Sequence, residues 1–91
     1  MTVTEDAEAS RFELRQDGEL LSFADYSTRG DSIVVPHVET IMAHRGRGNA
    51  ARLMDGLLAL IRADGRTIVP LCPFAAAHIR DDPAHHDLLA R

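Results

Sequence analysis

Hydrophobic and polar positions alternate over Arg11-Phe12-Glu13-Leu14-Arg15, and a second run of strand character follows from Glu19 to Tyr26. A period of two marks a strand with one buried face. Asp17-Gly18 separates the two runs, and Asp-Gly is a pair that tight hairpins favour. Arg29-Gly30-Asp31 marks a second turn. A third strand is expected over residues 32–40, interrupted by Pro36; proline has no amide to give a sheet, so a bulge or an unpaired edge is expected there. The period then changes. Ala50, Leu53, Met54, Leu57, Leu58 and Ile61 recur at helical spacing. They predict a helix over residues 48–63, about 24 Å long at 1.5 Å per residue. Gly65 is its natural C-terminal stop. Residues 67–72 read as a short buried strand. Residues 74–80 and 85–91 read as short helical pieces separated by Pro83.

The element order is therefore β-β-β-α-β-α. A strand–helix–strand unit of this length implies parallel neighbours and a right-handed crossover. The expected fold class is α+β: a mixed sheet, a meander followed by one crossover, with a short covering helix. Residues 1–10 are polar, acidic and without period, and are expected to form a flexible tail. Residues 11–91 are expected to form one domain. A chain of 91 residues holds no more than that. The core must be well packed or completed by a second copy, so a monomer or a weak homodimer is expected.

Composition narrows the partners. The net charge of −4 gives no basic surface for nucleic acid. No apolar run is long enough to span a bilayer, the N-terminus lacks the pattern of a secretory signal, and a cytoplasmic location is expected. A lone cysteine, Cys72, excludes an internal disulfide and a cysteine-rich zinc site.

The candidate chemistry begins at His44-Arg45-Gly46-Arg47-Gly48-Asn49-Ala50, between the third strand and the long helix. A helix N-terminus offers unpaired amides and a partial positive charge. Glycines let that backbone approach a ligand closely. Arginine carries a planar fork matched to phosphate oxygens. The loop suits a phosphate-bearing ligand.

Several stretches together resemble one family. They are residues 14–26, His37-x-Glu39, Arg45-Gly46-Arg47-Gly48 with Ala50, and Pro70-Leu71-Cys72-Pro73-Phe74 followed by Pro83 and Leu88. They resemble the minimal, single-domain GNAT-type N-acetyltransferases, which include YidJ-like and NATD-like proteins. The resemblance implies acetyl-CoA as ligand and a GNAT-like sheet whose third and fourth expected strands splay apart. It implies that the amides of residues 45–50 hold the diphosphate, with Arg45 and Arg47 near the phosphates. It also implies that Thr40, Ile41, Met42, Pro73 and Phe74 lie along the cofactor. Asn49 stands where relatives more often carry an aliphatic residue, and is expected to cap the helix. Set against larger relatives, the resemblance implies a chain without the N-terminal helices and last strands that form their acceptor pocket.

Acetyl transfer to an amine needs a held cofactor, a neutral amine and a proton for the leaving thiolate. Glu39, at the end of the third strand, is the candidate base, directly or through water; its alternative is a salt bridge or a solvated strand end. His37 shares its face on a regular strand and is either catalytic or a half-exposed structural histidine. Cys72 is either a nucleophile or a small residue packed at the site. His78 falls where relatives often have a tyrosine that protonates the thiolate, and histidine can do that work near neutral pH; the alternative is a surface histidine. Residues 81–87 with His78 have no familiar metal-ligand spacing, Pro83 breaks the helix that would align them, and no metal is expected. Three functions are weighed. One is an acetyl-CoA-dependent N-acetyltransferase acting on an amine acceptor (a protein lysine, an N-terminus or a small polyamine). The others are a non-catalytic acyl-CoA-binding or sensor domain and a protein-interaction module.

Overall fold

The alternating residues pair as the hairpin chemistry requires. In the computed structural model, which describes residues 1–90, β2 (Arg11–Gln16) and β3 (Glu19–Arg29) run antiparallel. Asp17 and Gly18 join them with φ of 52° and 81°, the positive pair that matches the twist of a two-residue hairpin. β4 (Ser32–Thr40) returns antiparallel to β3. The irregularity expected at Pro36 is a bulge. Asp25 pairs with His37 and Ser27 with Val34, so Val35 and Pro36 together oppose Tyr26. α1 (Asn49–Ala63) crosses over, β5 (Thr67–Pro70) pairs parallel to β4, and α2 (Pro73–Arg80) follows.

α1 ends in two Schellman hydrogen bonds. The Gly65 amide donates to the Arg62 carbonyl at 3.1 Å and the Arg66 amide to the Ile61 carbonyl at 3.0 Å. Gly65 supplies the φ of 67° this needs. The last expected helical piece is instead a 3₁₀ segment (Pro83–Leu88), after which Leu89 bridges Ile68 in parallel. Proline at its start and the Asp82 carboxylate, which accepts from the Ala84 amide at 3.0 Å, explain the tight turn.

The expected flexible tail over residues 1–10 is corrected. Thr2–Asp6 form β1, antiparallel to β2 on the open edge of the sheet, giving the order β1-β2-β3-β4-β5. The physical reason is long-range. Val3 lies against Gly56 of α1, so closely that a Cβ built on Gly56 falls 2.3 Å from Val3 Cγ2. Glu5 accepts from Tyr26 Oη at 2.6 Å and from Arg66 Nη2 at 3.0 Å. The Arg66 hydrogen bond, with that from Tyr26, holds the Glu5 carboxyl below its ordinary range against a smaller opposing effect of burial. Burial, then the bond to Glu5, pushes Tyr26 up to about 12.

One apolar cluster unites the helices and one sheet face. Leu53, Met54, Leu57, Leu58 and Ile61 of α1, Ala75 and Ile79 of α2 and Leu88 pack on Phe12, Leu14, Ala24, Ile33, Val35 and Ile68. Burying each large side chain stabilises the fold by about 1.5–3 kcal/mol. The other face carries the row Glu13, Phe23 and Glu39, in register across three strands. Glu13 is buried there between Arg11, whose Nη2 lies at 2.6 Å, and Arg15, whose Nε donates at 3.1 Å. Burial pushes its carboxyl up, and the hydrogen bonds from Arg15 and Arg11 outweigh that and leave it below the ordinary range.

Candidate active site

The parallel pair separates where its pairing runs out. The last partners are Val35 and Pro70. The Val35 carbonyl then takes both the Leu71 and Cys72 amides, each at 3.0 Å. Pro36 has no amide to offer β5, and residues 36–40 of β4 continue beside β3 alone. β5, expected over residues 67–72, thus ends two residues early, and the chain turns into α2 with Cys72 at its N-cap. This is the splay that the sequence resemblance implied.

The end of β4 leads into the glycine-arginine loop. Ser22 Oγ bonds the Glu39 carbonyl at 2.7 Å and shares a 3.2 Å hydrogen bond with Thr40 Oγ1. The Ile41 amide donates to Leu21, and a 3₁₀ turn (Met42–His44) carries an exposed Met42. Gly46 and Gly48 have φ of 77° and 76°, left-handed conformations that a side chain would strain. Arg45 Nε donates to the Thr40 carbonyl at 3.2 Å, and the Arg47 guanidinium has no partner among the described residues.

No side chain caps α1. Its first backbone bond runs from Arg52 to Gly48 at 3.1 Å, which leaves the amides of Asn49, Ala50 and Ala51 without an acceptor among the described residues. The expected cap at Asn49 is corrected: Gly48 occupies the N-cap position, and Asn49 is buried beneath the loop. Its Nδ2 donates to the His44 carbonyl and its Oδ1 accepts from Arg52, both at 3.0 Å. Arg52 Nη1 also donates to the Arg47 carbonyl at 2.6 Å. Sequence reasoning passed over Arg52; its signal was an arginine in the first turn of a helix, where side chains lean back toward the N-terminus. Thr40, Arg45, Gly46, Gly48, Asn49, Ala50, Ala51 and Phe74 line a groove of about 250 Å³ at this junction. Seven of these eight are sequence candidates; Ala51 was not among them. Pro73 is the first residue of α2 and is exposed, beside Phe74.

The chemical candidates separate. His37 and Glu39 share the outer sheet face, as alternation requires despite Pro36, with His37 Nε2 3.0 Å from Glu39 Oε1. Both side chains are about half exposed, 53% and 43%. Phe23 lies between their row and Arg11, its ring 6.3 Å from His37 and 4.8 Å from the Arg11 guanidinium. Cys72 is buried in the apolar cluster. His78 points to α1, where its Nε2 lies 2.7 Å from Asp55 Oδ1, and its ring stacks on Phe74 at 6.2 Å.

A mixed sheet with a splayed parallel pair, and an uncapped helix after a glycine loop at the splay, define an α+β architecture with an anion-binding helix start. The family model for the GCN5-related N-acetyltransferase matches residues 11–88, and the chain belongs to that family as a GNAT-type N-acetyltransferase domain. No curated protein matches it in sequence. Among solved structures it is similar to a GCN5-like N-acetyltransferase from Staphylococcus aureus, with TM-score 0.67 and 15% identity over 97% of this chain and 86% of that one. It is also similar to the ribosomal-protein-S18-alanine N-acetyltransferase of Escherichia coli, with TM-score 0.63 and 17% identity over 78% of this chain and 49% of that enzyme. An aminoglycoside N-acetyltransferase solved with CoA gives TM-score 0.53 and 21% identity over 82% of this chain and 64% of that one. Acetyl-CoA is the cofactor of the family. The residues present fit it: three free amides, two left-handed glycines and Arg45 meet at one groove, and Arg47 stands in the same loop outside the groove's lining. No helix is long and apolar enough to cross a membrane.

Proposed function

We propose that this domain transfers the acetyl group of acetyl-CoA directly to an amine, with Glu39 as the base. The observation that carries the reading is the uncapped start of α1 beside the unpaired end of β4. When bound, acetyl-CoA supplies an activated acetyl thioester. The amides of Asn49, Ala50 and Ala51 hold the diphosphate, aided by the positive end of the helix and by Arg45 and Arg47. Arg52 and Asn49 keep the loop open from behind. Thr40, Ile41, Met42, Pro73 and Phe74 would hold the rest of the cofactor.

Glu39 takes the proton that the incoming ammonium must lose before it attacks. Its carboxylate accepts from His37, which fixes the carboxylate's direction, and the half-exposed carboxyl can pass the proton to water. Cys72, packed in the core, has a structural role, and transfer needs no covalent intermediate on it. His78, occupied by Asp55, is not assigned the acid role.

The test is release of CoA thiol with a panel of amines: a peptide N-terminus, a peptide lysine and a polyamine. At least one amine should accelerate release above the buffer rate. Glu39→Gln should lower turnover by about 10²–10⁴-fold, the usual contribution of a general base, with little change in acetyl-CoA affinity. Cys72→Ala should keep most of the activity. No amine-dependent release from folded protein would overturn the reading, and equal turnover in Glu39→Gln would remove Glu39 as the base.

A further inference from the structure

Two histidines outside the lining of the cofactor groove converge on α1. His78 stands on α2, His85 on the 3₁₀ segment and Asp55 on α1, and one donor atom from each lies within 4.8 Å of the other two. His78 Nε2 is 2.7 Å and His85 Nε2 3.8 Å from the same oxygen, Asp55 Oδ1. The two rings are stacked, 5.8 Å between centroids at 20°, so both nitrogens face the carboxylate from one side. Asp82 Oδ2 adds a second carboxylate, 3.4 Å from the same nitrogen of His85. Ligands about 2.0–2.2 Å from a tetrahedral zinc ion stand about 3.3–3.6 Å apart. The observed separations bracket that spacing, and small side-chain rotations reach it.

The three donors are held without help from an ion. Leu58, Ala75, Ile79 and Leu88 lock α1, α2 and the 3₁₀ segment into one apolar cluster. Arg62 clamps the segment to α1 through two hydrogen bonds to Asp87, at 2.7 and 2.9 Å, and one to the Ala84 carbonyl at 3.0 Å. His86 donates to the Arg80 carbonyl at 3.1 Å, tying the segment back to α2. The imidazoles are mostly buried, with side chains 19% and 18% exposed, whereas Asp55 is 65% exposed. Asp55 and His85 also line a groove of about 370 Å³ between α1 and the segment. An ion there has protein on one side and water on the other.

We propose that Asp55, His78 and His85 form a binding site for a divalent transition ion, zinc by the donor set of two imidazoles and a carboxylate. Water fills the remaining position, and Asp82 neighbours it. The ion replaces the proton shared between Asp55 and its histidine and pins the C-terminal segment to the long helix. The inference is independent of the acetyl-transfer reading, because binding needs neither cofactor nor turnover.

The test uses the whole chain, stripped with chelator and dialysed, titrated with zinc chloride by calorimetry in the absence of acetyl-CoA. Binding should be one to one, with Kd of about 1 μM or tighter. Cobalt should give the intense visible absorption of a tetrahedral site, and zinc should raise Tm. Asp55→Ala and His85→Gln should each weaken binding about tenfold or more, with far-ultraviolet dichroism confirming that each is folded. Asp55 is exposed, so its variant tests the site even if His85→Gln does not fold. Asp81→Asn, a neighbouring carboxylate outside the cluster, should bind as the parent does. Absence of one-to-one binding by the folded parent, or unchanged affinity in Asp55→Ala, would overturn the proposal.

Discussion

Gly56→Ala reads the contact that makes residues 2–6 a strand. In an exposed helix interior this change stabilises by about 1 kcal/mol, because alanine is the better helix former. Here the new methyl would fall 2.3 Å from Val3 Cγ2, 2.5 Å from Val3 Cβ and 3.0 Å from Val3 Cγ1. Overpacking costs about 1–3 kcal/mol, and contact with a Cβ fixed to the strand backbone places this case near the top of that range. The net is a destabilisation of about 2 kcal/mol, after subtracting the propensity gain. For a domain of this size that lowers Tm by about 8–16 °C. Thermal unfolding followed by circular dichroism measures it. Val3→Gly removes every atom that the methyl meets, so the two changes should couple, the double variant losing at least about 1 kcal/mol less than the sum of the singles. A Tm rise of about 4–8 °C in Gly56→Ala, the behaviour of a solvent-facing helical glycine, would refute the packing of β1 on α1.

The remaining predictions use single groups. Tyr26 is the only tyrosine and tryptophan is absent, so alkaline absorbance titration reads it alone; the midpoint should lie near 12, and a midpoint near 10 in folded protein would contradict its burial and its bond to Glu5. Because its folded pKa is raised, its share of stability is complete below about pH 10 and is lost as pH rises toward 12. Glu5 and Glu13 have lowered folded pKa values, so their share is present above the ordinary carboxylate range and is lost as pH falls through the folded values. Urea unfolding as a function of pH should show this, and Glu5→Gln should flatten the acid limb; an unchanged limb would remove the Glu5 contribution. Gly48→Ala places a side chain at φ 76°, a strain of about 1–2 kcal/mol. The free loop relaxes and binding must restore it, so acetyl-CoA affinity should fall about 5–30-fold by calorimetry; unchanged affinity would separate the loop from the ligand.

Local chemistry was legible in the chain, and distant chemistry was not. Asp17-Gly18, the 3.6 period from Ala50 to Ile61 and Gly65 announced a hairpin, a helix and its end, because each signal lies within a few residues of what it specifies. Pro36 announced its bulge for the same reason. β1 carries one core-facing apolar residue, Val3, in a polar run; its partners are Gly56, Tyr26 and Arg66, and no local period records them. Asn49 read as a cap because asparagine beside a helix start normally serves as one, but the left-handed Gly48 takes that position and sends Asn49 inward. Thr40, Arg45, Gly46, Gly48, Asn49, Ala50 and Phe74 line one groove, whereas Ile41, Met42, Arg47 and Pro73, also expected along the cofactor, are not part of its lining. The engagement of His78 with Asp55 depends on how α1 and α2 pack, which no spacing within residues 78–87 encodes.

The account turns on what the first amides of α1 hold. Backbone amide NMR of the folded chain, titrated with acetyl-CoA, reads them one by one. The amides of Gly46, Gly48, Asn49, Ala50 and Ala51 should shift most and saturate together, with CoA lacking the acetyl group shifting the same set. Saturable binding that leaves these amides in place and moves a set elsewhere would contradict it.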